Sequence, residues 1–277
     1  MVGQREVDED GNTPRKRFGE AVRDARELRP AGKMSQTELA RKTRTSKSAI
    51  SRIERGTPPI PAGLPPLLDQ IFETDGLFKR LYDEACADNF PAQYRRRMGV
   101  EPLAAAIAEW SPTVIPGLLQ TAPYARALFR AGDPRAGERE IANKVATRMA
   151  RKEVFRGGSP PDFSVIVCES VIRRVVGGPD VMRDQLSALL SRGAHPTTVL
   201  QVLPLDAGTH GLMSGAMSIL TTPDGNPVVY TEGVRSGAMI DDEAAVRHLT
   251  RLYDVITASA LSPDASASVI RELMEAL

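Results

Sequence analysis

Apolar positions between residues 14 and 56 recur at helical spacing in three short runs separated by polar turns. Phe18, Val22 and Arg26 mark the first run. In the second, Leu39 and Ala40 face inward with Thr43 one turn later, while Arg41 and Lys42 stay in water. In the third, Ala49, Ile50 and Ile53 form the buried face. The start and stop signals agree. Ser35 caps the second run, and Glu38 three residues on completes a capping box. Thr45 or Ser46 caps the third. Gly56 ends it, and Pro58 and Pro59 prevent its resumption. The stretch Gly56–Pro66 carries five prolines and predicts a rigid, non-helical connection, with helices following at Leu67–Phe72 and Leu77–Ala87.

The pattern changes from Pro102 onward. Leu103–Glu109 is alanine-rich and predicts a helix. Two proline breaks precede a helix from about Pro123, and Arg139–Phe155 predicts a long one. The continuous β-branched run Phe163–Cys168 predicts a buried strand. A helix over Asp180–Ser191 and a strand over Val199–Leu203 follow. Met217–Thr221 and Pro227–Thr231 predict a hairpin turning through Pro223–Asn226. Amphipathic helices close the chain at Asp241–Ala260 and Pro263–Leu277. The fold class is therefore multidomain: an all-α bundle at the N-terminus, then an α+β domain with a small mixed sheet.

Charge changes the picture at the N-terminus. Thr13–Ile60 holds 13 Lys+Arg against 5 Asp+Glu, a net of +8 in a chain of net +1. Residues 61–277 carry a net −4. Two short helices joined by a tight turn, in the one strongly basic region, form the pattern of a helix-turn-helix whose second helix enters the DNA major groove. Lys47, Ser48, Ser51 and Arg52 lie opposite the apolar face and can bond base edges. The expected layout is a disordered tail over 1–12, a DNA-binding domain over 13–88, a linker or helical connection over 89–104, and a regulatory and dimerisation domain over 105–277. Arg95–Arg97 within that connection reads as a solvated linker or as a phosphate contact.

With these residues in view, about 14–75 resembles the xenobiotic-response-element (XRE) regulators, the Cro and repressor-like helix-turn-helix family, through QTELAR, S-x-S-A-I-S-R-I-E-R-G and the preceding Phe18–Val22–Arg26 helix. The resemblance implies a bundle of four or five helices. It implies that Gln36 and Thr45 touch phosphate or the edge of the site, beside Ser46, and that Lys47, Ser48 and Arg52 face bases. It also implies that Glu54 pairs with Arg26. Arg44 stands where many members have Gly, and Leu28–Lys33 is longer than the usual turn. Residues 105–275 resemble the uncharacterised C-terminal domain of actinobacterial, Streptomyces-type, antitoxin-like transcriptional regulators. The resemblance is carried by PGLLQTAPYARAL, the Glu169–Pro179 run, QVLPLDAGTHG and VVYTEG. It implies a developmental or antibiotic-control regulator, with a small partner protein encoded by a neighbouring gene.

Enzyme chemistry finds little support. Gly211–Gly215 has the wrong spacing for a nucleophile elbow around Ser214, and His210 sits in a Gly-rich loop. Gly177–Asp180 precedes a helix but lacks the Gly-Lys-Ser/Thr of a phosphate loop. Asp241, Asp242 and Glu243 point in different directions at a helix start, and His195, His210 and His248 show no ligand pairing, so no metal and no cofactor are expected. Glu169, Arg173 and Arg174, just past a strand, are a structural ion pair, a partner contact or a small-molecule clamp. Apolar stripes on the last two helices (Leu249, Leu252, Ile256, Leu261; Ile270, Leu273, Leu277) serve the core or a dimer. Two cysteines in no metal spacing, and no apolar run long enough for a membrane, fit a reduced cytoplasmic protein, nucleoid-associated when bound to DNA. One recognition helix buries too little surface for tight binding, which points to a homodimer on a palindromic double-stranded DNA operator.

Overall fold

A computed structural model describes residues 13–29, 32–43, 45–57, 60, 63–87, 92–156, 160–233 and 236–277, with backbone alone at 86, 87, 92, 93 and 95. The expected tail over 1–12 and the departure at Arg44 lie outside the described residues. The chain divides into two compact units, Met1–Gly99 and Val100–Leu277.

Six helices make up the first part: α1 (Pro14–Glu27), α2 (Gln36–Lys42), α3 (Lys47–Glu54), α4 (Leu64–Phe72), α5 (Leu77–Ala87) and α6 (Ala92–Val100). The apolar faces expected from spacing meet in one core, where Phe18, Val22, Leu39, Ile50, Ile53, Leu68 and Phe78 are buried. Two expectations change. The connection after Gly56 becomes helical at Leu64, earlier than its prolines suggested. Pro65 and Pro66 occupy the first turn, where a missing N–H costs nothing. Residues 92–100 form α6, and Arg97 on it is buried, so this stretch is not a fully solvated linker.

The second unit is a six-stranded mixed sheet flanked by helices. Its strands are β1 (Ala106–Ser111), β2 (Asp162–Cys168), β3 (Thr198–Leu203), β4 (Ala216–Thr221), β5 (Pro227–Glu232) and β6 (Gly237–Ile240), in the order β3-β2-β1-β4-β5-β6. β1, β2 and β3 run parallel; β4 pairs antiparallel with β1, β5 antiparallel with β4, and β6 antiparallel with β5. Between the strands lie α7 (Ala122–Gly132), α8 (Glu138–Ala150), the short α9 (Glu169–Arg173) and α10 (Pro179–Gly193). α11 (Glu243–Ser259) and α12 (Pro263–Glu275) follow the sheet.

The alanine-rich segment expected to be helical is instead a 3₁₀ turn at Glu101–Leu103 followed by β1. β1 takes ladder partners on both sides, Ile107 opposite Phe163 on one and Leu220 on the other. Ladder bonding and burial there outweigh the helix propensity of alanine. The helix expected to reach Phe155 stops at Ala150 and tightens into a 3₁₀ turn, Arg151–Phe155. The strand β2 and the β4–β5 hairpin form where expected, with Gly225 at φ 84° in the turn. Four residues of β6 and five of α9 carry too little pattern to be read from sequence.

Both faces of the sheet are covered. Ile107, Val165, Val202 and Leu220 pack with residues of α10 and α12, including Leu186 and Ile270. Trp110, Ile166 and Val229 pack with Val246 and Ile256 of α11. The stripes weighed as dimer contacts are engaged in this packing: Leu249, Leu252 and Ile256 on one side, Leu261, Ile270, Leu273 and Leu277 on the other. Among the described residues, no helix is long and apolar enough to cross a membrane.

Candidate nucleic-acid interface

The two helices of the motif begin on serine caps. Ser35 Oγ accepts the Glu38 N–H at 3.1 Å, and Ser46 Oγ accepts the Ala49 N–H at 3.1 Å. Ser46, not Thr45, therefore caps α3. The reciprocal bond of the expected capping box is not made among the described residues. Thr43, whose hydroxyl donates back to the Leu39 carbonyl at 2.8 Å, closes α2. Gly56 closes α3 at φ 69°, where an L side chain is strained. α1 crosses α3 closely: a Cβ on Gly19 would lie 2.3 Å from the Ile53 carbonyl oxygen.

A buried polar network locks the three helices. Arg26 and Glu54 are 5% and 3% exposed. Arg26 Nε donates to Glu54 Oε1 at 2.7 Å and Nη2 to Oε2 at 3.1 Å, the fork geometry that makes such pairs directional. This is the pair the family resemblance implied. Arg26 Nη1 donates to the Met34 carbonyl at 2.8 Å and so also fixes the chain entering α2. The Glu54 carboxylate raises the Arg26 pKa further above its ordinary value. Two partners were not foreseen: Gln36 Nε2 donates to Glu54 Oε2 at 2.8 Å, and Arg23 Nη2 donates to the Glu54 carbonyl at 3.1 Å. Gln36, expected at phosphate, thus has its amide group engaged inside the protein. No spacing rule exposes that bond, because it depends on how α2 packs over the end of α3.

On the outer side of α3, Lys47 and Ser48 are exposed and Ser51 and Arg52 half-buried. Ser48 Oγ lies 2.9 Å from Ser46 Oγ, and Thr45 Oγ1 donates to the Ser46 carbonyl at 3.3 Å. The side chains of Lys47 and Arg52 make no hydrogen bond or ion pair among the described residues. Ser35 satisfies the Glu38 N–H, and the first amides of α2 remain without intrahelical partners, the usual condition of a helix start that meets an anion.

The other sites weighed from sequence resolve locally. His210 stands edge-on to Trp110 at 5.1 Å, and its Nδ1 accepts the Leu212 N–H at 3.2 Å; burial lowers its pKa. Ser214 lines a cleft of about 280 Å³ beside Thr231 and Gly233. Asp242 caps α11 by accepting the Ala245 N–H, and Glu243 pairs with Arg247. Gly177 and Gly178 take positive φ, 77° and 95°, ahead of α10. No group of three potential metal ligands gathers among the described residues. Glu169 follows the last residue of β2. Its Oε1 accepts from Arg173 Nε at 2.7 Å and its Oε2 from the Leu205 N–H at 3.0 Å. That backbone bond, then Arg173, holds its carboxyl below the usual range. Both residues line a cleft of about 540 Å³ with Leu205, Asp206, Leu261 and residues of α12. Arg174 is exposed and is not among the lining residues.

Two family models match this chain. One, described as Helix-turn-helix, covers residues 22–62, and the other, described as Domain of unknown function (DUF5753), covers residues 94–272. No curated protein and no solved structure matches.

Proposed function

We propose that this chain, which belongs to the DUF5753 family and carries an XRE-type, DNA-binding helix-turn-helix at its N-terminus, is a transcriptional repressor that binds a palindromic operator as a homodimer. α3 is its recognition helix. Lys47, Ser48, Ser51 and Arg52 meet base edges, while Thr45, Ser46 and the start of α2 at Gln36 meet phosphate. The observation that carries this reading is the pair of side chains Lys47 and Arg52. They stand on the outer face of α3 with no hydrogen-bond or ion-pair partner among the described residues, in a region of net charge +8. Dimerisation supplies the second recognition helix that operator-level affinity demands.

The C-terminal unit receives the signal, from a small protein encoded by a neighbouring gene, and adjusts DNA affinity without catalysis. A second reading, in which the signal is a small molecule, is favoured by the cleft at the ends of β2 and β3.

The test is selection of genomic fragments on the purified protein, followed by quantitative binding. Arg52→Ala is expected to lower affinity for the selected site by about 1–3 kcal/mol and to relax specificity at one position. An equal loss on random DNA would remove Arg52 from base reading and leave it on phosphate.

A further inference from the structure

The parallel strands β2 and β3 end side by side, and the chain leaving each one builds the same cleft. Glu169 follows Cys168 at the end of β2; Pro204, Leu205 and Asp206 follow Leu203 at the end of β3. α12 contributes Val269, Glu272 and Leu273. Open sheets commonly bind ligands outside the carboxyl ends of their parallel strands, because side chains from separate loops converge there on a rigid frame. The volume, about 540 Å³, lies within the range of small-molecule sites.

We propose that this cleft binds a small organic cation, an ammonium or guanidinium group carried on an apolar body. The inference rests on the ligand-sensing reading above and names its ligand class. Four charged side chains line the cleft. Arg173 is committed to Glu169 through Nε and Nη2, and Glu169 has its remaining oxygen on the Leu205 amide. That pair is neutral. Asp206 and Glu272, from separate elements, make no ion pair among the described residues, so the cleft offers two uncompensated carboxylates. An anion would meet both of them and find the charge of Arg173 already neutralised by Glu169. The rest of the lining is apolar, and Leu205 is 59% exposed at the rim, an uncovered surface of the kind a ligand's hydrocarbon part removes from water. A cation with an apolar body satisfies both features at once. A bare metal ion leaves the apolar wall wet, and a neutral hydrocarbon leaves the carboxylates without a partner.

The full-length protein, with isotope-labelled Ile, Leu and Val methyl groups, tests this directly and without DNA. Titration with n-hexylammonium chloride is expected to shift the methyl signals of Leu205, Leu261, Val269 and Leu273 and to leave those of Leu39 and Ile50 in place. Sodium hexanoate and hexanol at the same concentrations are expected to shift them far less. The double variant D206N/E272Q changes only exposed side chains; it is expected to weaken hexylammonium binding about three- to tenfold. Equal shifts from hexanoate or hexanol, or unchanged affinity in the double variant, overturn the cation assignment while leaving a ligand-binding cleft. No shift of the four methyls with any of the three probes overturns the ligand-sensing reading as well.

Discussion

Glu54 collects more of the N-terminal unit's polar bonding than any residue of the exposed face. Its carboxylate receives Arg26 twice and Gln36 once, and its carbonyl receives Arg23. Truncating it leaves the Arg26 guanidinium buried with only the Met34 carbonyl and Glu27 as partners. Glu54→Ala should therefore cost about 3–5 kcal/mol in urea unfolding of the N-terminal unit. The double replacement Arg26→Met with Glu54→Leu should recover part of that loss, since it removes the stranded charge. The Arg26–Glu54 pair was legible in the sequence through the family resemblance. The Gln36 bond was not, because residue spacing does not reveal which face of α2 lies over the end of α3. A second prediction concerns His210 in the C-terminal unit. Burial lowers its pKa below the ordinary imidazole value of about 6.5, so the unfolded chain protonates first. Its stabilising contribution is complete above that value and is lost as pH falls through it toward the folded pKa. His210→Gln should shrink the drop in heat-unfolding midpoint between about pH 7.5 and 5.5 relative to the parent.

At the level of elements, α2 and α3 form where their caps and apolar spacing place them, because local signals and tertiary packing agree. Ser46 is the clearest case. Its hydroxyl holds the Ala49 amide, and the turn it starts presents Lys47 and Ser48. Ser46→Ala is expected to cost about 1 kcal/mol of stability by chemical denaturation. It should also weaken operator binding beyond any loss of a direct contact, since the turn carrying the proposed reading residues frays. The sheet was less legible. β2 announces itself by an unbroken β-branched run, whereas β1 begins within the alanine-rich run 104–109 and becomes a strand because β2 and β4 flank it. β6 is four residues long, near the lower limit at which alternation means anything. The terminal stripes illustrate the converse. Their spacing was correct, but periodicity shows that a face is apolar and not what covers it, and here it packs against the sheet.

For the whole molecule, charge and architecture divide in the same way: a basic helical unit, then a larger α+β unit in the acidic part of the chain. If two copies present their α3 helices to successive major-groove faces, the operator half-sites lie about one helical turn apart. Inserting about five base pairs between the half-sites should then turn one of them to the far side of the duplex. Gel-shift titration should show an affinity loss of at least tenfold, and sedimentation of the intact complex should fall toward one protomer per DNA. Unchanged affinity would mean that a single protomer suffices. The chain's only tryptophan, Trp110, donates its indole N–H to the Leu212 carbonyl at 2.7 Å in the C-terminal unit. The DNA-binding unit thus contains no indole of its own. Selective excitation near 295 nm illuminates one half of the protein alone. A change in that emission on adding DNA reports an event that reaches the C-terminal unit, so Trp110 is a built-in optical reporter for that unit alone.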